Sequence, residues 1–174
     1  MALDLRKINR GFPGLTAARA TSMHEAAAVC LVSNSHAPGA NISIHGYLTK
    51  TDTLDWTPPN SQVHSAWSDL HEATEHGAYG VAALLVEELT SLTIVERARK
   101  KTGFDYWVGP KGTNMPLFQN KRRLEVSGIL RGTQSMVTQR LNKKIAQVTG
   151  VPSPLQALVV IIEFGAPLGH MQFV

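Results

Sequence analysis

An apolar run near the C-terminus constrains the fold more than any other feature of the sequence. Residues 155–164 read LQALVVIIEF, in which only Gln156 and Glu163 are polar. A strand that is apolar on both faces is typical of the interior of a sheet covered on both sides by helices. The run is also shorter than the roughly 18 apolar residues of a membrane-spanning helix. It therefore predicts a layered fold with a buried sheet.

Periodicity and turn residues predict the neighbours of this strand. Helical patterns cover residues 16–31, 61–90 and 133–148, and strand patterns cover residues 41–49, 92–98, 104–108 and 123–129. The segments 50–60 and 109–121 are rich in turn formers and predict loops. The second half thus has the order α-β-β-β-α-β, which predicts an α/β or α+β three-layer αβα sandwich around a mixed sheet. We expect a single domain, with residues 1–60 as an N-terminal helix–strand extension of a core formed by residues 61–174.

Composition excludes several classes of protein. A chain of 174 residues that is 43% hydrophobic can bury a core, so extensive disorder is excluded. The single cysteine, Cys30, excludes an intramolecular disulfide and a cysteine-rich metal site, and its apolar neighbours predict burial. The N-terminus has no apolar signal region, which favours a cytoplasmic protein. A net charge of +4 permits an anionic partner such as nucleic acid.

Histidines give no metal site by spacing. His71 and His76 are five positions apart, whereas the HExxH motif of zinc proteases needs its histidines four apart on one helix face. The N-terminal histidines 24, 36, 45 and 64 also lack ligand spacing and stay unassigned. An enzyme that uses these histidines on a small molecule is the hypothesis with the least support.

Three carboxylates form a more informative pattern. Asp105 and Glu125 lie in the strand patterns 104–108 and 123–129, and Glu75 lies on the helix before them. A hairpin would place Asp105 and Glu125 side by side, facing that helix. Acids in apolar strands are costly unless they are paired or bind a cation. Three clustered carboxylates predict a Mg²⁺ or Mn²⁺ site, which can activate water against a phosphodiester.

The element order and these acids resemble the PD-(D/E)XK nuclease superfamily over about residues 70–165. The resemblance implies that Asp105 is the superfamily's second-strand aspartate and that Glu125 opens its Glu-x-Lys motif. It also implies a carboxylate on the preceding helix, either Glu75 or Glu72. Some members carry a further polar residue, often glutamine, on the helix after the third strand, a place that Gln139 fits.

Ser127 departs from this pattern, because the superfamily has lysine at that position. Some members supply the lysine from the following helix, which implies that Lys143 or Lys144 orients the water or stabilises the phosphate. The alternative is an inactive nuclease-like fold that serves as a nucleic-acid-binding or structural subunit of a larger complex. The apolar C-terminus, residues 171–174, would fit against a protein partner or a second copy of the chain.

Basic residues flank the predicted hairpin and alternate with the aromatic residues Tyr106, Trp107 and Phe118. Cations contact phosphates and aromatic rings stack on bases. We therefore expect nucleic-acid contacts from Arg99, Lys100, Lys101, Lys121, Arg122, Arg123, Gln139 and Arg140. Together the patterns predict a Mg²⁺- or Mn²⁺-dependent nuclease acting on DNA or RNA. Its candidate catalytic residues are Glu75, Asp105, Glu125, Lys143 and Lys144, of which the three acids would hold the metal.

Overall fold

One mixed sheet of eight strands organises the chain in the computed structural model, which describes residues 2–112 and 120–174. In space the strands follow the order β1-β3-β2-β8-β7-β6-β5-β4. Their ranges are β1 (Ala2–Asp4), β2 (Ala40–Gly46), β3 (Lys50–Asp55), β4 (Leu92–Arg97), β5 (Tyr106–Pro110), β6 (Arg122–Ile129), β7 (Ala157–Glu163) and β8 (Leu168–Phe173).

Helices begin where short polar side chains cap them. After a 3-10 helix at Leu5–Arg10, the α-helices are α1 (Ala17–Ser33), α2 (Ser61–Ala66), α3 (Leu70–Leu89) and α4 (Gln134–Thr149). The side chain of Thr16 accepts a hydrogen bond from the amide of Arg19, so Thr16 is the N-cap residue of α1. In the described residues, no helix is long and apolar enough to cross a membrane.

Strand β7 separates two apolar cores, and all seven of its residues are buried. Leu158, Val160 and Ile162 pack in the core that contains α1 and α3. The alternate residues of β7 pack with Val137 and Leu141 of α4. Because strand side chains alternate between faces, α3 and α4 cover opposite sides of the sheet. The protein is thus an α+β fold with helices on both faces of a mixed sheet.

Helices α1 and α3 approach each other closely, and two glycines of α3 make this possible. A Cβ atom on Gly77 would lie 2.8 Å from the Cα of Ala27, and one on Gly80 would lie 2.9 Å from the carbonyl oxygen of Met23. Real Cβ atoms do not tolerate such distances to backbone. The glycines of this long helix therefore serve packing against α1, which in turn fixes α3 on the sheet.

The segment from α3 to β7 has the expected element order. Strand β4 pairs antiparallel with β5, and β5 pairs antiparallel with β6. Strand β6 pairs parallel with β7, so α4 is the crossover between these two strands. Parallel neighbours require such a crossover, usually a helix. This arrangement brings α3, the start of β5, β6 and α4 to one region of the molecule.

The N-terminal part of the fold differs from the prediction. Residues 50–55 form β3 rather than a loop, and the helical pattern at 61–90 contains two helices, α2 and α3, separated near Trp67. Within residues 1–60, strands β1, β2 and β3 continue the sheet of the predicted core through β8. Part of the predicted loop 109–121, including Phe118, lies outside the described residues.

The C-terminus is also placed differently. Residues 168–173 form β8, which lies between β7 and β2 in the interior of the sheet. The side chain of Met171 is fully buried there. Residues 172–174 are partly exposed, so the expected contact of the C-terminus with a partner stays a prediction for these three residues.

Candidate active site

A cleft of about 1060 Å³ opens beside the start of β5. Its walls come from α3, from the turn between β4 and β5, from β6 and from α4. The three carboxylates singled out in the sequence, Glu75, Asp105 and Glu125, all line this one cleft. Residues from four separate elements thus meet where the sequence predicts a site.

Asp105 is held at the entrance to β5. Extending the β5–β6 register by one step from Tyr106 places Asp105 opposite Glu125, and the amide of Asp105 donates to the carbonyl of Leu124 at 2.8 Å. Its Oδ2 accepts from the amide of Val126 at 2.9 Å, and its Oδ1 accepts from the hydroxyl of Tyr79 at 3.0 Å. These donors fix the carboxylate in place.

Glu125 is 2% exposed, on the face of β6 that α4 covers. Its Oε1 accepts from the ammonium of Lys144 and from the amide of Gln147, the latter at 3.1 Å. Burial and the neighbouring charge of Asp105 raise the pKa of Glu125 to about 7, and Lys144 acts in the opposite direction. Two carboxyl groups that share a small space repel each other when both are ionised. Asp105 and Glu125 therefore form a close carboxyl pair.

Glu75 is joined to this pair through a tyrosine. Its side chain is exposed, and Tyr79, one helical turn later, directs its hydroxyl to Oε1 of Glu75 at 3.2 Å as well as to Asp105. Burial and the charge of Asp105 raise the pKa of Tyr79, which keeps this hydroxyl protonated. Glu72, the other helical candidate, does not line the cleft.

The acids do not form the expected cluster of three. Among residues 2–112 and 120–174, no group of three or more His, Cys, Asp or Glu side chains is placed to hold a metal ion. The structure brings Asp105 and Glu125 together. Glu75 is connected to Asp105 through the hydroxyl of Tyr79, which lies within hydrogen-bond distance of both carboxylates. Of the three predicted ligands, the structure therefore leaves two side by side, the strand carboxylates Asp105 and Glu125, which are ion-paired to Arg97 and Lys144.

One face of α4 supplies cations to the cleft. Arg140, Lys144 and Gln147 follow helical spacing and line it together. Arg140 donates from Nη1 to the hydroxyl of Ser127 at 2.8 Å. Ser127 stands where the expected motif has lysine, and Arg140 of the next helix contacts its hydroxyl. Lys144 of the same helix contacts Glu125.

The neighbouring residues on α4 lie elsewhere. Lys143 and Gln139 are both exposed, and neither lines the cleft. Of the two lysines left open by the sequence, Lys144 is the one beside the acids. Gln147 occupies the position in the cleft that was expected of Gln139.

The excess of basic over acidic residues in the protein lies around the cleft. Its lining contains seven lysines and arginines, namely Arg19, Arg97, Arg99, Lys100, Lys101, Arg140 and Lys144, and three acids. The chain has 17 basic and 13 acidic residues in all, so the other ten of each kind cancel. The excess of +4 is therefore concentrated at the cleft, which favours a polyanionic ligand.

The second basic cluster does not join the first. Lys121 lies over the ring of Trp107 at 4.2 Å, and Arg122 lies over the ring of Phe173 at 5.2 Å. Neither basic residue lines the cleft. Their predicted contact with nucleic acid would have to occur outside it.

Arg123 has a structural role instead of the predicted one. It is buried, and its guanidinium donates to the carbonyl of Val148 at 2.8 Å and to the carbonyl of Leu155 at 2.9 and 3.2 Å. These bonds tie the end of α4 to the segment that enters β7. Because its donors are used inside the protein, Arg123 does not contact nucleic acid.

His71 lines the cleft, whereas the histidines 24, 36, 45 and 64 and the single cysteine do not. His24 is buried between the side chain of Asn9 and the amide of Thr57, and burial lowers its pKa. Cys30 is buried as predicted, and burial raises the pKa of its thiol to about 11. Both therefore belong to the packing of the fold.

Sequence reasoning missed Tyr79, Gln147 and Arg19 as members of the cleft. Tyr79 follows Glu75 by one helical turn, and Gln147 follows Lys144 by three residues. Helical spacing from an already chosen residue was the signal that could have found these two. Arg19 comes from α1, and no local pattern connects it to the acids.

Comparison with known proteins adds no relative. No protein-family model, no curated protein and no solved structure matches this chain. The chemistry of the cleft therefore rests on its own side chains.

Proposed function

We propose that this protein is a metal-dependent nuclease that hydrolyses phosphodiester bonds in DNA or RNA. One observation carries the proposal: a close pair of carboxyl groups, Asp105 and Glu125, lies in a cleft that holds the entire positive excess of the chain. The acids alone would suit a cation, and the surrounding basic residues alone would suit a polyanion. Together they suit a divalent cation and a phosphodiester at the same place.

Asp105 and Glu125 are the residues that would hold Mg²⁺ or Mn²⁺. Such ions prefer carboxylate oxygens, and Mg²⁺ in phosphate-processing sites uses only one or two protein carboxylates. When bound, the ion activates water and neutralises charge on the phosphate. The amide of Val126 and the hydroxyl of Tyr79 orient the Asp105 carboxylate through its two oxygens. Outer partners of this kind fix the geometry of metal ligands.

Lys144 and Arg140 are two cations placed to act on the phosphate, beside Arg97, whose Nη1 lies 3.4 Å from Oδ1 of Asp105. Both project from α4 into the cleft, Lys144 beside Glu125 and Arg140 beside Ser127. Lys144 would take the role of the lysine that PD-(D/E)XK nucleases carry at the position of Ser127. The element order from α3 to β7, and the position of Asp105 opposite Glu125, support that family assignment as part of the proposal.

The test is cleavage of labelled single- and double-stranded DNA and RNA with Mg²⁺ or Mn²⁺, repeated with EDTA. We expect metal-dependent cleavage that falls about 100-fold or more in Asp105→Asn and in Lys144→Ala. Glu72→Ala and Lys143→Ala are matched controls, because these neighbours on α3 and α4 do not line the cleft, and they should cleave like the unaltered protein. Cleavage that persists in Asp105→Asn would overturn the proposal.

A second candidate function is an inactive nucleic-acid-binding subunit. The observation that favours it is Ser127, whose hydroxyl accepts a hydrogen bond from Arg140 where the superfamily has a lysine. Under this alternative the folded protein would bind nucleic acid in a salt-dependent manner and cleave none of the four substrates with either metal. The same assay therefore separates the two functions.

A further inference from the structure

We propose that the cleft takes single-stranded nucleic acid, with unpaired bases stacked on the aromatic pair formed by Phe104 and Trp107. This inference rests on the proposed function, because it assigns a substrate class to the same site. The inference adds to the proposed function a base-binding surface next to the carboxyl pair.

The aromatic pair lies directly beside the acids. Phe104 lines the cleft and precedes Asp105 in the chain. Trp107 is two residues beyond Asp105, on the same face of the strand and about 7 Å along it. The two rings meet edge to face, with centroids 4.6 Å apart at an angle of 74°. A base held here would therefore place its neighbouring phosphate within reach of Asp105.

These rings are accessible, unlike the other tryptophans. Phe104 and Trp107 are both half-buried, whereas Trp56 and Trp67 are buried in the core. Lys121 covers one face of the Trp107 ring, so a base that stacks on Trp107 takes the opposite face or displaces this lysine. Phe104 is thus a partly open ring in the cleft wall, Trp107 stands beside it outside the lining, and neither ring belongs to the apolar cores.

Positive charge frames the aromatic pair on two sides. Lys121 lies over the ring of Trp107 at 4.2 Å, and the turn with Arg99, Lys100 and Lys101 lines the cleft just before Phe104. Cations that follow the phosphates, together with rings that stack on the bases, are the features of single-strand binding. In a duplex the faces of the bases are already stacked on each other, so an aromatic pair favours unpaired nucleotides.

The experiment measures binding without cleavage, using the Asp105→Asn variant in EDTA. The probes are a fluorescein-labelled oligonucleotide of about 12 nucleotides and the duplex of the same sequence, at one salt concentration. We expect the single strand to bind about 10-fold or more tightly than the duplex and to quench tryptophan fluorescence. Adding Trp107→Ala should remove most of that preference and leave the duplex affinity unchanged.

Two further variants separate stacking from charge and from folding. Trp107→Phe keeps a ring, so it should retain most of the single-strand affinity while abolishing the quenching. Lys101→Ala should weaken both probes by a similar factor, since it removes only a phosphate contact. Because no step needs catalysis, an absence of nuclease activity does not affect this test. Equal binding of both probes, binding of neither, or an unchanged preference in Trp107→Ala would overturn the inference.

Discussion

Glu125 has the most unusual ionisation of the acids in the cleft. Burial and the charge of Asp105 raise its pKa from 4.5 to about 7. An acid with a raised pKa in the folded state holds its proton more tightly when folded. Its effect on stability is therefore most favourable at low pH and is lost as the pH rises through 7. Carboxyl groups with shifted pKa values occur at functional sites and in structural ion-pair networks.

Glu125→Gln isolates this effect. Glutamine keeps the shape of the side chain without ionising, so we expect the variant to gain stability relative to the unaltered protein as the pH rises from about 5 to 8. The gain should be of order 1–3 kcal/mol, measured by urea denaturation at both ends of this range. A difference between the two proteins that does not change with pH would show that Glu125 ionises normally.

The site residues differ in how far the sequence could predict them. Asp105 and Glu125 were predictable because acids are rare inside apolar strands and need a reason to be there. The burial of Arg123 was not predictable, since its acceptors, the carbonyls of Val148 and Leu155, lie 25 and 32 positions further along the chain. A run of basic residues in a sequence does not show which of its side chains face solvent and which face the interior.

At the scale of elements, the contact between α1 and α3 sets the position of one cleft wall. Gly80→Val would drive a branched side chain into the backbone of Met23, because even a Cβ atom at Gly80 lies 2.9 Å from that carbonyl oxygen. We expect a loss of about 2 kcal/mol or more in the free energy of unfolding, measured by urea denaturation. The control Ala146→Val, on an exposed position of α4, should cost less than about 1 kcal/mol. Equal stability of the two variants would contradict the close helix contact.

Some elements were predictable from the sequence and others were not. The apolar run at 155–164 predicts a buried strand, and the helical pattern at 16–31 predicts α1. Strand β3 was missed because its alternating residues are mostly threonine and aspartate, with Asp52 buried beside Lys50. Strand β8 was missed because its apolar pattern is weak. One of its buried positions holds a glycine, Gly169, which lies against Leu85 of α3 and contributes no apolar side chain.

At the scale of the whole molecule, two long-range facts decide what the chain can do. Pairing of β8 with β2 joins the two ends of the chain into one sheet, which no local pattern shows. The fold also gathers seven basic residues, from α1, from the region of β4 and its turn, and from α4, around the acid pair. The net charge of +4 can be counted from the sequence, whereas only the fold shows where that charge is placed.

This concentration of charge predicts how strongly the binding of nucleic acid depends on salt concentration. If three or more of the cleft cations contact phosphates, the logarithm of the single-strand association constant should fall against the logarithm of salt concentration with a slope of about −2 or steeper. Lys100→Ala together with Lys101→Ala should make the slope shallower by about 1 to 2, whereas Lys143→Ala should not change it. Fluorescence anisotropy in a salt series measures both. A slope that is the same in all three proteins would place the phosphates outside the cleft.

The most direct test of the central claim is calorimetric titration with Mn²⁺ of the unaltered protein, Asp105→Asn and Glu125→Gln, with Glu72→Ala as the control. We expect saturable binding that is at least about 10-fold weaker in the two site variants and unchanged in the control. In the unaltered protein, binding should be tighter at pH 8 than at pH 6, because protons compete for Glu125 below its raised pKa. Equal Mn²⁺ affinity in all four proteins would contradict a metal site at the carboxyl pair.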